Sequence, residues 1–280
     1  MEERFSAFSF VDRITDFEPG VRARGRFGVP RGLPGFPPCL VAEAVGQLAA
    51  WVAMAQVDFR FRPVAGLAGE TKFLGDATPG QTLELEIEID SCDDEAVAYG
   101  GRARAGGAKI LELAHCVGPM LPLEEFDAPE AVRERFDVLR GRGAPQGRFR
   151  GVERLELAVI DRQAGERLRA GIQIPASGAF FADHFPRRPV FPGTLLLDAQ
   201  IRLALDLASE LPGRGSAAPL GPVRATDVKI RSFIVPGQAV ELQAEMLQPV
   251  GEVAVAALTA RSNGKPVATG RLELAPRSAA

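Results

Sequence analysis

Two histidines supply all the imidazole in this chain, and the setting of one of them could support chemistry. His184 lies between Asp183 and the loop FPRRPVFPG, nine residues before Gly193 and fourteen before Asp198. An imidazole exchanges protons near neutral pH, so it can serve as a base or an acid, although a lone histidine more often makes one structural hydrogen bond. The Phe-Pro-rich loop at a fixed distance from a glycine favours the chemical reading. His115, inside LELAHCVG, has no such setting and reads as structural. The second candidate is Glu43, followed one turn later by Gln47; these are the interior polar residues of an otherwise apolar stretch from 38 to 56. Spacing of i, i+4 puts both on one helix face. Burial disfavours the charged form of a carboxylate, which suits a proton donor; an acid that merely meets a basic partner in the core is the alternative.

A second apolar helix, about 193 to 211, carries Asp198 at the matching position, with Arg202 where the first helix has Gln47. A neighbouring arginine is expected to hold Asp198 ionised, which makes it a poor acid. Fourteen residues before Glu43 stands Val29, so the first loop has no histidine. Its prolines nevertheless correspond: Pro34, Phe36 and Pro37 fall opposite Pro189, Phe191 and Pro192, and proline stiffens a loop feeding a helix.

These helices belong to a repeated unit. PGQTLELEIEID at 79–90 is answered by PGQAVELQAEML at 236–247, FVDRI at 10–14 by VIDRQ at 159–163, and ARAGG at 103–107 by ARSNG at 260–264, in the same order. Each unit reads as a strand or two, a Pro-rich loop, one long helix and several alternating strands, an α+β pattern with one helix per sheet. The expected division is 1–125, a linker at 126–150, and 151–280. The linker holds a surface helix, DAPEAVRERFDVLRG, with Asp127 as N-cap, Pro129 in its first turn and Gly141 past its end, then a basic Gly-rich segment. Two similar units so joined can pair as a homodimer would, and further homo-oligomerisation stays open.

The chain has 280 residues, 46% of them hydrophobic, with a net charge of -3. That is enough to bury a large core, and it gives no electrostatic reason to expect a nucleic-acid partner. The run Leu40–Ala55 is interrupted by Glu43 and Gln47 and reads as too short and polar for a membrane span. The acidic start MEERFSAFSF lacks the pattern of a secretory signal, so a cytoplasmic location is expected. Cys39, Cys92 and Cys116 lack metal-ligand spacing, which implies reduced thiols and no metal.

At His184–Gly193 the sequence HFPRRPVFPG resembles the hotdog-fold 3-hydroxyacyl-[acyl-carrier-protein] dehydratases, whose motif HFPxxPxxPG runs into a helix bearing an acid and then a glutamine. The resemblance implies a double hotdog, two helix-in-sheet units paired face to face, in which His184 of the second unit meets Glu43 of the first. It implies that Gln47 positions the acid and that the Gly193 amide binds the thioester carbonyl. It also implies a wall of Phe185, Pro189, Val190 and Phe191 along the substrate, and no cofactor. An acyl carrier protein is the implied partner; Arg187 and Arg188, with Arg140, Arg142, Arg148 and Arg150 of the linker, are candidate docking charges. The implied reaction is dehydration to a trans-2-enoyl thioester, serving fatty acid or polyketide-type synthesis. A hotdog thioesterase, using a helix acid to activate water, and a non-catalytic acyl-binding subunit are the alternatives.

Overall fold

The structure is a computed structural model and describes residue 5 and residues 7–211, 219–249 and 253–276. The first repeat contains β1 (Arg13–Glu18), β2 (Arg22–Gly28), α1 (Pro38–Gln56), β3 (Phe61–Pro63), β4 (Leu67–Phe73), β5 (Thr82–Cys92), β6 (Ala96–Ala105) and β7 (Ala108–Pro122). Helix α2 (Pro129–Arg140) follows. The second repeat contains β8 (Ala158–Gln163), β9 (Arg167–Gln173), α3 (Gly193–Ala208), β10 (Leu220–Ile230), β11 (Ala239–Met246), β12 (Ala254–Ser262) and β13 (Lys265–Pro276).

Strand β5 illustrates why these segments become sheet. Leu83, Leu85 and Ile87 alternate with Glu84, Glu86 and Glu88, so one face is buried against α1. On the outer face Arg24 and Arg102, from the strands on either side, pair with Glu86. The echoed turns share geometry as well as sequence. Gly80 and Gly237 both have positive φ, and Gln81 and Gln238 each accept a hydrogen bond from the amide three residues earlier.

Among the described residues the strands form one antiparallel sheet, ordered β1-β2-β5-β6-β7-β4-β10-β13-β12-β11-β9-β8, with β3 paired to β7. The order mirrors itself about the β4–β10 pair, where Thr71 lies opposite Ala225. That pairing makes the sheet continuous across the repeats and brings α1 against α3. Each helix lies inside its own half of the sheet, which is the double hotdog that the resemblance implies. Both helices begin after a proline N-cap, Pro37 and Pro192, with nearly the same backbone angles.

Several expectations change. Helix α1 has 19 residues and is long and apolar enough, by length and composition, to cross a membrane, contrary to the reading of the run as too short. Its hydropathy has a sufficient cause in the fold, because β2, β5, β6 and β7 pack around it. Helix α3 ends at Ala208, three residues early. The N-cap of α2 is Ala128, not Asp127, whose carboxylate instead forms a buried ion pair with Arg135. Nor is α2 a surface helix only: Val132, Phe136 and Leu139 are buried, and Phe136 packs on Phe17, Trp51 and Phe59. Phe149 of the basic segment enters the same core beside Phe10 and Phe36.

Candidate active site

A cavity enclosing about 260 Å³ runs between α1 and the start of α3, and both His184 and Glu43 line it. Its wall is mostly apolar. Phe185, Val190 and Phe191 belong to the wall, as expected, whereas Pro189 does not and acts only as part of the loop. Trp51 and Met54 of α1 and Val132 and Leu139 of α2 line the cavity as well, so the linker helix contributes to it.

The loop holds His184 by its own backbone. Nδ1 lies 2.9 Å from the Val190 carbonyl oxygen, the amide of His184 donates to Phe180, and the amide of Val190 returns to the His184 carbonyl. With Nδ1–H donating to a carbonyl, Nε2 carries the lone pair. Burial of the imidazole lowers its pKa below the ordinary value, and the positive charge of Arg62 acts in the same direction. The Glu43 carboxyl and the Val190 carbonyl oppose them. The result is a neutral imidazole at neutral pH, the form that can accept a proton.

Glu43 is half-buried and faces the cavity, rather than being fully enclosed as the apolar helix suggests. Gln47 Nε2 donates to Glu43 Oε1 at 2.9 Å, so the two polar residues of α1 do meet. Thr194 Oγ1 donates to Glu43 Oε2 at 2.7 Å across the junction of the repeats. Sequence reasoning missed Thr194; its one signal was a hydroxyl next to Gly193 at a helix start. Gln47 is fixed in turn, since its Oε1 accepts from the Phe10 amide and its Nε2 donates to the Phe8 carbonyl.

That N-terminal segment crosses to the histidine loop. Asp183 Oδ2 accepts hydrogen bonds from the amides of Ala7 and Phe8 and from the Ser9 hydroxyl. Phe8 also packs edge-on to His184, with ring centroids 5.6 Å apart. One short strand of chain thus ties the histidine loop of one repeat to the acid's glutamine in the other.

Gly193 opens α3 on the cavity wall. The first amides of a helix have no partner within it and carry its positive end, so a carbonyl oxygen placed there would be polarised. A Cβ at Gly193 would lie 3.3 Å from the Ile230 side chain, a tight contact.

The matching residues of the other repeat lie away from this cavity. Neither Val29 nor Asp198 lines the cavity. Arg202 Nε lies 3.3 Å from Asp198 Oδ2, the ion pair expected, and Arg202 also donates to the Leu155 carbonyl. Burial raises the Asp198 pKa from the ordinary carboxylate value, and the charges of Arg202 and Arg154 oppose that rise.

The candidate docking arginines are partly committed. Arg187 donates to the Glu124 carbonyl, and Arg188 pairs with Glu125 while stacking on Phe126 and Phe233. Arg140 stacks on Phe17 and Phe136 and does not line the cavity. His115 is exposed at a positive-φ position in β7, also away from the cavity wall.

Comparison with known proteins adds independent findings. Residues 161–271 match the ApeI-like family, described as ApeI dehydratase. The 3-hydroxyacyl-[acyl-carrier-protein] dehydratase FabZ of Vibrio parahaemolyticus is 31% identical over 120 residues, covering 42% of this chain and 80% of that protein. Among solved structures, the dehydratase domain of PpsC from Mycobacterium tuberculosis, in complex with C12:1-CoA, superposes with a TM-score of 0.57. It is 17% identical, with 96% of this chain and 99% of that chain covered. An oleoyl thioesterase (putative) from Lactobacillus plantarum gives 0.59 at 9% identity, covering 92% and 97%. The structural likenesses establish the fold, which dehydratases and thioesterases share, and the sequence likenesses reported are to dehydratases. The chain belongs to the hotdog-fold 3-hydroxyacyl-[acyl-carrier-protein] dehydratase family, with both units of a double hotdog in one polypeptide.

Proposed function

We propose that the protein removes water from a 3-hydroxyacyl thioester, giving the trans-2-enoyl thioester. The observation that carries this reading is one cavity in which an imidazole with its Nε2 unengaged by its loop and a doubly hydrogen-bonded carboxyl group are supplied by different repeats. His184 Nε2 takes the C2 proton as base. The electron pair left on C2 delocalises onto the thioester oxygen, which the amide of Gly193 stabilises. As that enolate collapses to form the C2–C3 double bond, the C3–O bond breaks. Glu43, in its acid form, protonates the departing hydroxyl, so water leaves. The proton held by His184 then returns to Glu43 and restores both groups. Gln47 and Thr194 hold the carboxyl group in place. The Thr194 hydroxyl can accept as well as donate, so it suits either protonation state of its partner.

The substrate arrives on an acyl carrier protein in this reading. Arg187 and Arg188 are exposed beside Phe233 and Phe185 of the cavity wall, where they could meet an acidic carrier. The pathway is fatty acid or polyketide-type synthesis and the location cytoplasmic. We assign residues 1–125 and 151–280 as the two units, with 126–150 as a linker whose helix completes the cavity.

The test is the His184→Ala variant, assayed with a 3-hydroxyacyl thioester by the absorbance of the conjugated product. Turnover should fall by about 100-fold or more, the range lost with a general base, with the fold retained. Undiminished enoyl formation would refute the assignment. Free thiol released without enoyl product, in the wild-type protein, would favour a thioesterase instead.

A further inference from the structure

We infer that Arg62 is a substrate-binding residue whose guanidinium receives an acceptor oxygen of the thioester ligand. This rests on the cavity being a thioester site, and the acceptor is either the distal amide carbonyl of the pantetheine arm or an oxygen substituent on the acyl chain.

Arg62 lies in the three-residue strand β3 and lines the same cavity as His184 and Glu43. Its guanidinium carbon stands 3.6 Å from the centre of the Phe185 ring, and 5.8 Å from that of Phe126. His184 stacks on Phe185 as well, at 4.2 Å, so the arginine is one ring removed from the imidazole. Stacking fixes the plane of the guanidinium and leaves its N–H groups to donate along its edges. Among the described residues, none of those donors has a hydrogen bond or ion pair, and Nε is buried without a partner. The nearby acids are taken: Asp127 by Arg135 and the Ala128 amide, and Glu43 by Gln47 and Thr194. Of the other stacked arginines, Arg60, Arg133 and Arg188 each hold a carboxylate, and Arg140 lies away from the cavity.

Burial, with the charge of Arg135, pushes the Arg62 pKa down to about 9, so it remains a cation at neutral pH. A cation withdrawn from water without an acceptor destabilises the empty cavity. An oxygen brought by the ligand recovers that cost. A planar carbonyl matches a stacked, edge-donating fork better than a point charge does. Because neighbouring carboxyl groups already balance part of the charge, a neutral oxygen is sufficient.

The experiment measures binding of saturated acyl thioesters, which have no 3-hydroxyl group and cannot lose water, through the fluorescence of Trp51 in the cavity wall. Three ligands are compared: an acyl pantetheine, the same acyl group on N-acetylcysteamine, which lacks the distal amide, and an acyl pantetheine with a keto group along its chain. Arg62→Met should weaken binding about 10-fold for ligands that carry the acceptor and within about twofold for those that lack it, as expected for loss of one charge-assisted hydrogen bond. A loss with both pantetheine ligands that is absent with N-acetylcysteamine assigns the oxygen to the arm. A loss confined to the keto ligand assigns it to the acyl chain. Arg62→Lys, which keeps the charge without the planar fork, should fall between, and circular dichroism of both variants reports folding. An equal penalty for all three ligands, or none, overturns the proposal. Binding is read without turnover, so a wild-type protein that forms no enoyl product would sink the dehydratase reading while leaving the Arg62 result interpretable.

Discussion

Replacing Thr194 with valine tests the part of the site that joins the two repeats. Its hydroxyl donates to Glu43 Oε2 at 2.7 Å, and among the described residues the only other hydrogen bond to that carboxyl group is from Gln47. Valine keeps the branched shape, so the first turn of α3 loses little packing or helix preference. What it removes is one hydrogen bond to a carboxyl group that acts in its neutral acid form, worth about 0.5–1.5 kcal/mol. If that bond holds Glu43 against the departing hydroxyl, the barrier rises by this amount and kcat falls roughly 2- to 13-fold. Thr194→Ser, which restores the hydroxyl, should stay within about threefold of wild type by the same reasoning. The assay is the initial rate of enoyl formation at saturating 3-hydroxyacyl thioester, with thermal melting as a control. In a Glu43→Gln background the valine substitution should have little further effect, since neighbours acting as a unit are non-additive. A kcat unchanged in Thr194→Val, or an undiminished penalty in the Glu43→Gln background, would refute the reasoning.

Two pH effects follow from the same geometry. Burial lowers the His184 pKa below its ordinary 6.5, so the neutral base persists below that pH, and kcat/KM should begin its acid decline only beneath 6.5; a midpoint above 6.5 contradicts this. Asp12 is 6% exposed and accepts a hydrogen bond from the Gly28 amide, yet burial raises its pKa to about 6. Because the folded value lies above the unfolded one, Asp12 contributes stability that is full below about pH 4 and is lost as pH rises through 6. The loss is roughly 3 kcal/mol for a shift of about two pH units. Asp12→Asn should flatten that part of the profile in denaturant melts at about pH 4.5 and 7.5, and an unchanged slope would exclude Asp12 as its source.

Local patterns made much of the molecule legible. The bounds of α1, the alternation in β5 and β11, the proline loops and the paired PGQ turns depend on residues near one another in the chain, and they emerged in the structure as read. The neighbouring positions of Glu43 and Gln47 followed from helix geometry alone. Asp127 was misassigned because an N-cap motif and a buried ion pair call for the same residue type, and the partner, Arg135, decides between them.

By itself the sequence determined that there are two similar units, that only the later one carries the histidine loop, and that only the earlier helix pairs an acid with glutamine. Tertiary structure alone decided that Thr194 reaches Glu43 across 151 residues, that residues 7–10 bridge Asp183 to Gln47, and that α2 lines the cavity. The physical reason is one of range. Periodicity and turn chemistry act over a few residues, whereas a hydrogen bond, a desolvated charge or a cavity wall depends on which distant segments the β4–β10 pairing brings within a few ångströms.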